Sequence, residues 1–159
     1  MEATCEAIRN CILTKMQPYL EAESDESDPL EVPDESAVVT GAVDLSRYIQ
    51  KTVCAIVPES TSESDGNIAD AEQEHTITVS FMHRGREYSL LVSRMFRYAE
   101  AFKSMLRDDN TLDGEALSVT IGNTQYYPDA GSIEKQMTAG EVEITVKTHS
   151  EVLTDDVFD

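Results

Sequence analysis

Three histidines (His75, His83, His149), three cysteines (Cys5, Cys11, Cys54) and two carboxylate pairs (Asp108-Asp109, Asp155-Asp156) are the residues with which this chain could hold a metal or cut a bond. Their spacing supports neither. The histidines have no metal-ligand spacing, and the GxSxG, HExxH, Walker and GxGxxG patterns do not occur. Cys54 sits in an apolar stripe, where a buried inert thiol is expected rather than a nucleophile. An odd cysteine count without a CxxC argues against a disulfide framework and against zinc. Asp108-Asp109 reads as a helix end and Asp155-Asp156 as a solvated tail. The expectation is a non-enzyme with no cofactor and no metal, whose chemistry is binding.

The residues suited to binding are charged. Of twelve Lys and Arg, six (Arg84, Arg86, Arg94, Arg97, Lys103, Arg107) fall within one short stretch, a local positive patch or else ordinary solvated helix charges. Around it the chain is acidic, with 31 Asp and Glu, a net charge of −19 and a pI near 4.3. That balance excludes a general nucleic-acid or anionic-membrane binder, which needs excess Lys and Arg. Ser24, followed by Asp25-Glu26, and Ser62, followed by Glu63 and Asp65, suit acid-directed kinases. A phosphate on either would add about −1.5 to −2 charge. No apolar run approaches the ~20 residues of a bilayer span, and the start lacks a signal-peptide pattern, so a soluble intracellular protein is expected.

The elements that must position these residues follow from charge and periodicity. Residues 1–75 carry 17 acids and 4 bases; residues 76–159 carry 14 and 8. Residues 21–43 and 58–74 are rich in Ser, Pro and acids, and read as acidic disordered linkers. Cys5, Ile8, Ile12, Met16 and Leu20 mark one helix face within residues 1–20, with Pro18 expected to end it early. Leu45, Tyr48, Ile49, Val53 and Ile56 predict a second short helix over 44–57, stopped by Pro58.

From residue 75 to 149 the spacing changes to alternation. Ile77, Val79 and Phe81, then Tyr88, Leu90 and Val92 across the Gly85 turn, predict a β-hairpin. Ser93 caps a main helix with Ala99, Phe102 and Leu106 on its buried face. Leu117, Val119 and Ile121 predict a strand closed by Gly122, Tyr126-Tyr127 a short strand, Ser132 to Met137 a short helical turn, and Val142, Ile144 and Val146 a last strand before an acidic tail at 150–159. The predicted class is α+β, a β-grasp of four or five strands in a mixed sheet with one helix laid across it.

The hairpin Ile77–Val92, the helix Met95–Leu106, the strand Leu117–Gly122, the segment Ser132–Met137 and the run Gly140–Val146 together resemble the ubiquitin superfamily, and SUMO more than ubiquitin. No glycine follows Gly140, so the di-glycine tail of conjugated modifiers is missing. A SUMO-like domain without that tail, behind an acidic N-terminal half, is similar to the SUMO-like-domain scaffold proteins of genome maintenance. The resemblance implies a nuclear, non-catalytic adaptor. Its groove between second strand and helix would take an acidic peptide through Arg86, Tyr88, Leu90, Arg94, Arg97 and Lys103. It implies a second face, with Glu134, Glu141 and Glu143, for the SUMO-conjugating enzyme. The aliphatic run carrying Val38, Val39 and Val43 between acids resembles a SUMO-interacting motif, able to bind SUMO or the chain's own groove. The alternative is an acidic decoy that imitates DNA and occupies a DNA-binding protein.

Overall fold

The computed structural model describes residues 1–44, 47–63, 72–129 and 136–149. The elements run α1 (Glu2–Lys15), α2 (Gln17–Glu23), β1 (Val38–Thr40), β2 (Thr52–Glu63), β3 (Glu72–Arg84), α3 (Tyr88–Asp108), β4 (Ser118–Tyr127) and β5 (Met137–His149). The strands form one sheet in the order β1-β2-β3-β5-β4. β1 joins β2 in parallel, and every other neighbouring pair is antiparallel. The α+β class, the mixed five-stranded sheet and the single main helix are as the sequence predicts, and are compatible with a β-grasp.

Helices α1, α2 and α3 lie on the same side of the sheet. The rows of residues that face them can be read across the strands: Cys54, Phe81 and Gly140; Ile56, Val79 and Val142; Ile77, Ile144 and Ile121; His75, Val146 and Val119. They form one core with Ile8, Ile12, Met16 and Leu20 from α1 and α2 and Tyr98, Phe102 and Leu106 from α3. Phe81 is its centre, with ring centroids 5.6 Å from Phe102 and 5.9 Å from Tyr98. α3 comes close to β5: a Cβ on Gly140 would stand 3.0 Å from the Met95 carbonyl oxygen, so a side chain there would have to push the helix back slightly.

Several elements differ from those predicted. Thr52–Glu63 is a strand, not the end of a helix over 44–57. Val53, Cys54, Ala55 and Ile56 are all buried, and a continuous apolar run satisfies helical spacing by accident while its β-branched residues favour the pleat. Pro58 does not end the element; it sits where the β2–β3 register shifts, at the kind of irregularity that tolerates a missing N–H. Tyr88–Val92 is not a strand but the first turn of α3, with Leu91 rather than Leu90 or Val92 buried against the sheet. The partner of β3 is therefore β2, not a strand that follows it. Pro18 lies in the first turn of α2, where its missing N–H costs nothing, so it opens a second helix. Gly122 does not close a strand either; β4 runs on to Tyr127 through a register shift between Ile121 and Thr124.

The described residues of the acidic N-terminal half are built into the fold rather than forming free linkers. α2 extends to Glu23, a 3₁₀ turn spans Glu35–Ala37, and β1 follows at once. Leu30, Ala37 and Val38 are buried. The predicted helix start at Leu45, the linker residues 64–71, the short helix over 132–135 and the tail 150–159 lie outside the described residues.

Candidate protein-interaction site

The basic groove foreseen on α3 is filled by the chain's own acids. Arg94, Arg97 and Tyr98 share one helical face. Against it lies the segment that follows α2. Asp28 accepts three hydrogen bonds from Arg94, at 2.8, 3.1 and 3.2 Å, and is only 3% exposed. Asp25 accepts one from the Arg97 Nη2 at 2.9 Å. The Tyr98 hydroxyl donates to the Glu31 carbonyl at 2.7 Å.

The segment is held in this shape by short polar contacts. Ser24 Oγ donates to the Leu20 carbonyl (2.7 Å) and accepts from the Leu30 N–H (2.8 Å). Gln17 grips both sides of Glu31, donating to the Leu30 carbonyl and accepting from the Val32 N–H. Asp25 accepts from Ser27 Oγ and from the N–H of Ser27 and Asp28. The Ser27 hydroxyl, then Arg97 and the Asp28 N–H, lower the Asp25 carboxyl to about 2.

Of the other predicted groove residues, Leu90 lines a cleft of about 500 Å³ with Arg94, Tyr98, Lys51 and Thr52. Lys103 lies 3.5 Å from Glu100 in a one-turn ion pair. Tyr88 donates to Asp129 at 3.2 Å, and Arg86 is exposed in the turn before α3. The structure thus brings Leu90, Arg94 and the Asp28 segment together, and leaves Arg86 and Lys103 apart from that contact.

Glu141 and Glu143 stand on β5, near the middle of the sheet, on the face opposite the helices. Glu141 is flanked by Ser80 and Gln125, and Glu143 by Thr78. Among the described residues neither enters a salt bridge. Glu141 raises the Tyr127 phenol above its ordinary value, chiefly through its charge. Lys147, further along the same face, is 3.7 Å from Glu74. Glu134 lies outside the described residues.

Val38 and Val39 form β1 with Thr40, a short strand added in parallel to the edge of the chain's own sheet. Arg9 donates to the Val38 carbonyl at 2.9 Å and so covers part of that edge. Val43 lies beyond Gly41, which turns with φ of +103°. Ser24 is the half-buried clasp described above, whereas Ser62 is exposed on β2 opposite Glu74.

Sequence reasoning missed Asp25, Asp28 and Tyr98. A signal was present: two acids and two bases each three residues apart, Asp25/Asp28 and Arg94/Arg97, are matched in spacing and opposite in sign. It also missed His83, fully buried between β2 and α3. Its Nδ1 shares a hydrogen bond with Thr52 Oγ1 (3.0 Å), its ring is 4.7 Å from that of Tyr98, and its Nε2 has no partner among the described residues. Burial, and then the nearby Arg94 charge, push His83 down to about 3. Among the described residues no three His, Cys, Asp or Glu are grouped to hold a metal, and no helix is long and apolar enough to cross a membrane.

No family model and no curated relative matches this chain. Among solved structures, a chain of "Virion of native gene transfer agent (GTA) particle" superposes with a TM-score of 0.49 at 10% identity, over 73% of this chain and 81% of that one. A likeness of that size carries no functional argument.

Proposed function

We propose that the protein is a non-catalytic adaptor that binds a protein partner through the acidic open face of its sheet. The observation that supports this most is the placement of Glu141 and Glu143 side by side on β5, on the face the helices leave bare. The Arg94–Arg97 groove is the weaker surface, because Asp25 and Asp28 already sit on it. The SUMO-like form of the proposal keeps the helix and the two strands after it, but loses the hairpin Ile77–Val92 as a landmark. The SUMO-conjugating enzyme is accordingly the first partner to test.

The test is an NMR titration of the full chain with that enzyme. Shifts confined to residues 141–147 and their neighbours Thr78 and Ser80 support the adaptor; shifts on α3 alone, or none, reject this face. A second reading, the DNA-imitating decoy, gains from one feature: Glu63, Glu72, Glu74 and Glu143 stand on strands, a rigid frame for negative charge. Binding to a DNA-binding protein that weakens steeply with salt, and does not require Glu141 or Glu143, would favour the decoy.

A further inference from the structure

The two edges of the sheet are treated differently. β1 is three residues long, ends at Gly41, and has its Val38 carbonyl covered by Arg9. β4 is ten residues long, and no described strand lies beyond it. Proteins commonly protect long edges with Lys or other charges, Pro, or a covering element, because unpaired N–H and C=O groups invite another strand. Ser118–Tyr127 contains no charged residue and no Pro, in a chain that carries 43 charged side chains. Its protection is the register shift near Gly122.

Large side chains crowd this edge. Phe96 on α3 is 48% exposed and packs at a 56° tilt against Tyr126, which is 38% exposed, with ring centroids 4.8 Å apart. Tyr127 is 41% exposed at the same end. On α3 the rings of Tyr98 and Phe102 are buried, whereas Phe96 and, at the first residue, Tyr88 are exposed. The charges nearest the edge are mostly acidic: Asp129 just past its end, Glu141 opposite Gln125, and Glu143 against Gly122. Lys147, opposite Ser118, is already near Glu74.

We propose that β4 is a docking edge for an extended segment of another protein, uncharged along most of its length and bearing Lys or Arg at the end beside Tyr127. The segment adds as a sixth strand about 4.8 Å from β4. A base at the Tyr127 end meets Asp129 and Glu141, and an apolar side chain of the segment rests on the Phe96–Tyr126 pair. Charge complementarity selects a basic partner over a second copy of this chain, which carries a net charge of −19. The edge shares Glu141 with the open face but not Glu143, and the two are told apart by whether the shifts fall on β4 or on residues 141–147 alone.

The test uses the full chain and two synthetic peptides as long as β4. Both alternate Val and Thr in the middle; one is flanked by Lys and the other by Glu. The Lys-flanked peptide is expected to shift the amides of Ser118–Tyr127 and Phe96 and to slow hydrogen exchange along β4. The Glu-flanked peptide is expected to do neither. Asn123→Lys, an exposed change at the register shift, and Phe96→Ala should each weaken binding by about tenfold or more while thermal unfolding stays unchanged. Equal response to both peptides, no shift in β4, or full binding by N123K overturns the docking edge. So does concentration-dependent dimerisation through β4 without peptide. Shifts confined to residues 141–147 overturn the edge and leave the open-face adaptor standing.

Discussion

Asp28 and Arg94 form the ion pair on which the N-terminal half depends at the residue scale. The Asp28 side chain is 3% exposed and that of Arg94 17% exposed, so neither charge retains much water. Removing one partner leaves a buried charge without its counterion, and Asp28→Asn or Arg94→Met should cost about 3–5 kcal/mol in urea unfolding. Replacing both by apolar residues of similar size should restore much of that loss, because the desolvation of two ions disappears with the pair. Asp25→Asn should cost less than either, because the Asp25–Arg97 pair keeps more of its water.

His83 makes a separate prediction. Its folded pKa is about 3, against about 6.5 when unfolded, so between those values the unfolded chain binds the extra proton. Its contribution is fully present above pH 6.5 and is lost as pH falls towards 3, by up to about 1.4 kcal/mol per pH unit. Asp25 acts lower: its stabilisation is present above the ordinary carboxyl range and is lost as pH falls towards 2. His83→Gln should reduce the slope of the stability profile between about pH 4.5 and 6.5, leaving the part due to His75, whose pKa burial also lowers. An unchanged slope would show that His83 is not held neutral. None of this was legible in sequence, because a lone histidine in an alternating strand has the same pattern whether it faces solvent or the core.

At the scale of elements, legibility followed periodicity. The helix that becomes α3 and the strands β4 and β5 were readable because one face of each is apolar and the other polar. β2 was not. Thr52 to Val57 is apolar on both faces, the inner Cys54 and Ile56 meeting the helices while Val53 and Ala55 are buried on the other side. With no polar face, period 2 and period 3.6 fit equally well, and misreading β2 forced β3 to seek its partner downstream. The site suffered the same way: placing Leu90 and Arg94 beside a second strand required the hairpin that does not form. The seat of α3 on β5 can be tested at Gly140. Gly140→Ala should destabilise by about 1–3 kcal/mol through its clash with the Met95 carbonyl, measured by thermal unfolding. A neutral result would mean that α3 lies further from the sheet.

At the scale of the whole molecule, the described residues of both halves share one core. β3 is central, bonded to β2 over most of its length on one side and to β5 on the other, and the core mixes Ile8 and Met16 with Phe81 and Phe102. The full chain should therefore unfold in a single transition, and a fragment of residues 75–149 should not fold, having lost β1, β2 and the helices over half the core. A folded fragment by circular dichroism and amide dispersion would contradict this. The acidic half was mistaken for linker because composition counts acids without asking what they meet, and here the acids at Asp25 and Asp28 meet arginines sixty-six or more positions away.

The adaptor proposal makes its most direct claim about Glu141, half-buried, and Glu143, exposed, on the side of the sheet opposite the helices. The measurement is the affinity of the SUMO-conjugating enzyme for the native chain and for the double variant E141K/E143K, by fluorescence anisotropy at physiological salt. Saturable binding that falls by about tenfold or more in the variant, with unfolding unchanged, is the predicted result. Equal binding by both chains, or no binding by the native one, contradicts it.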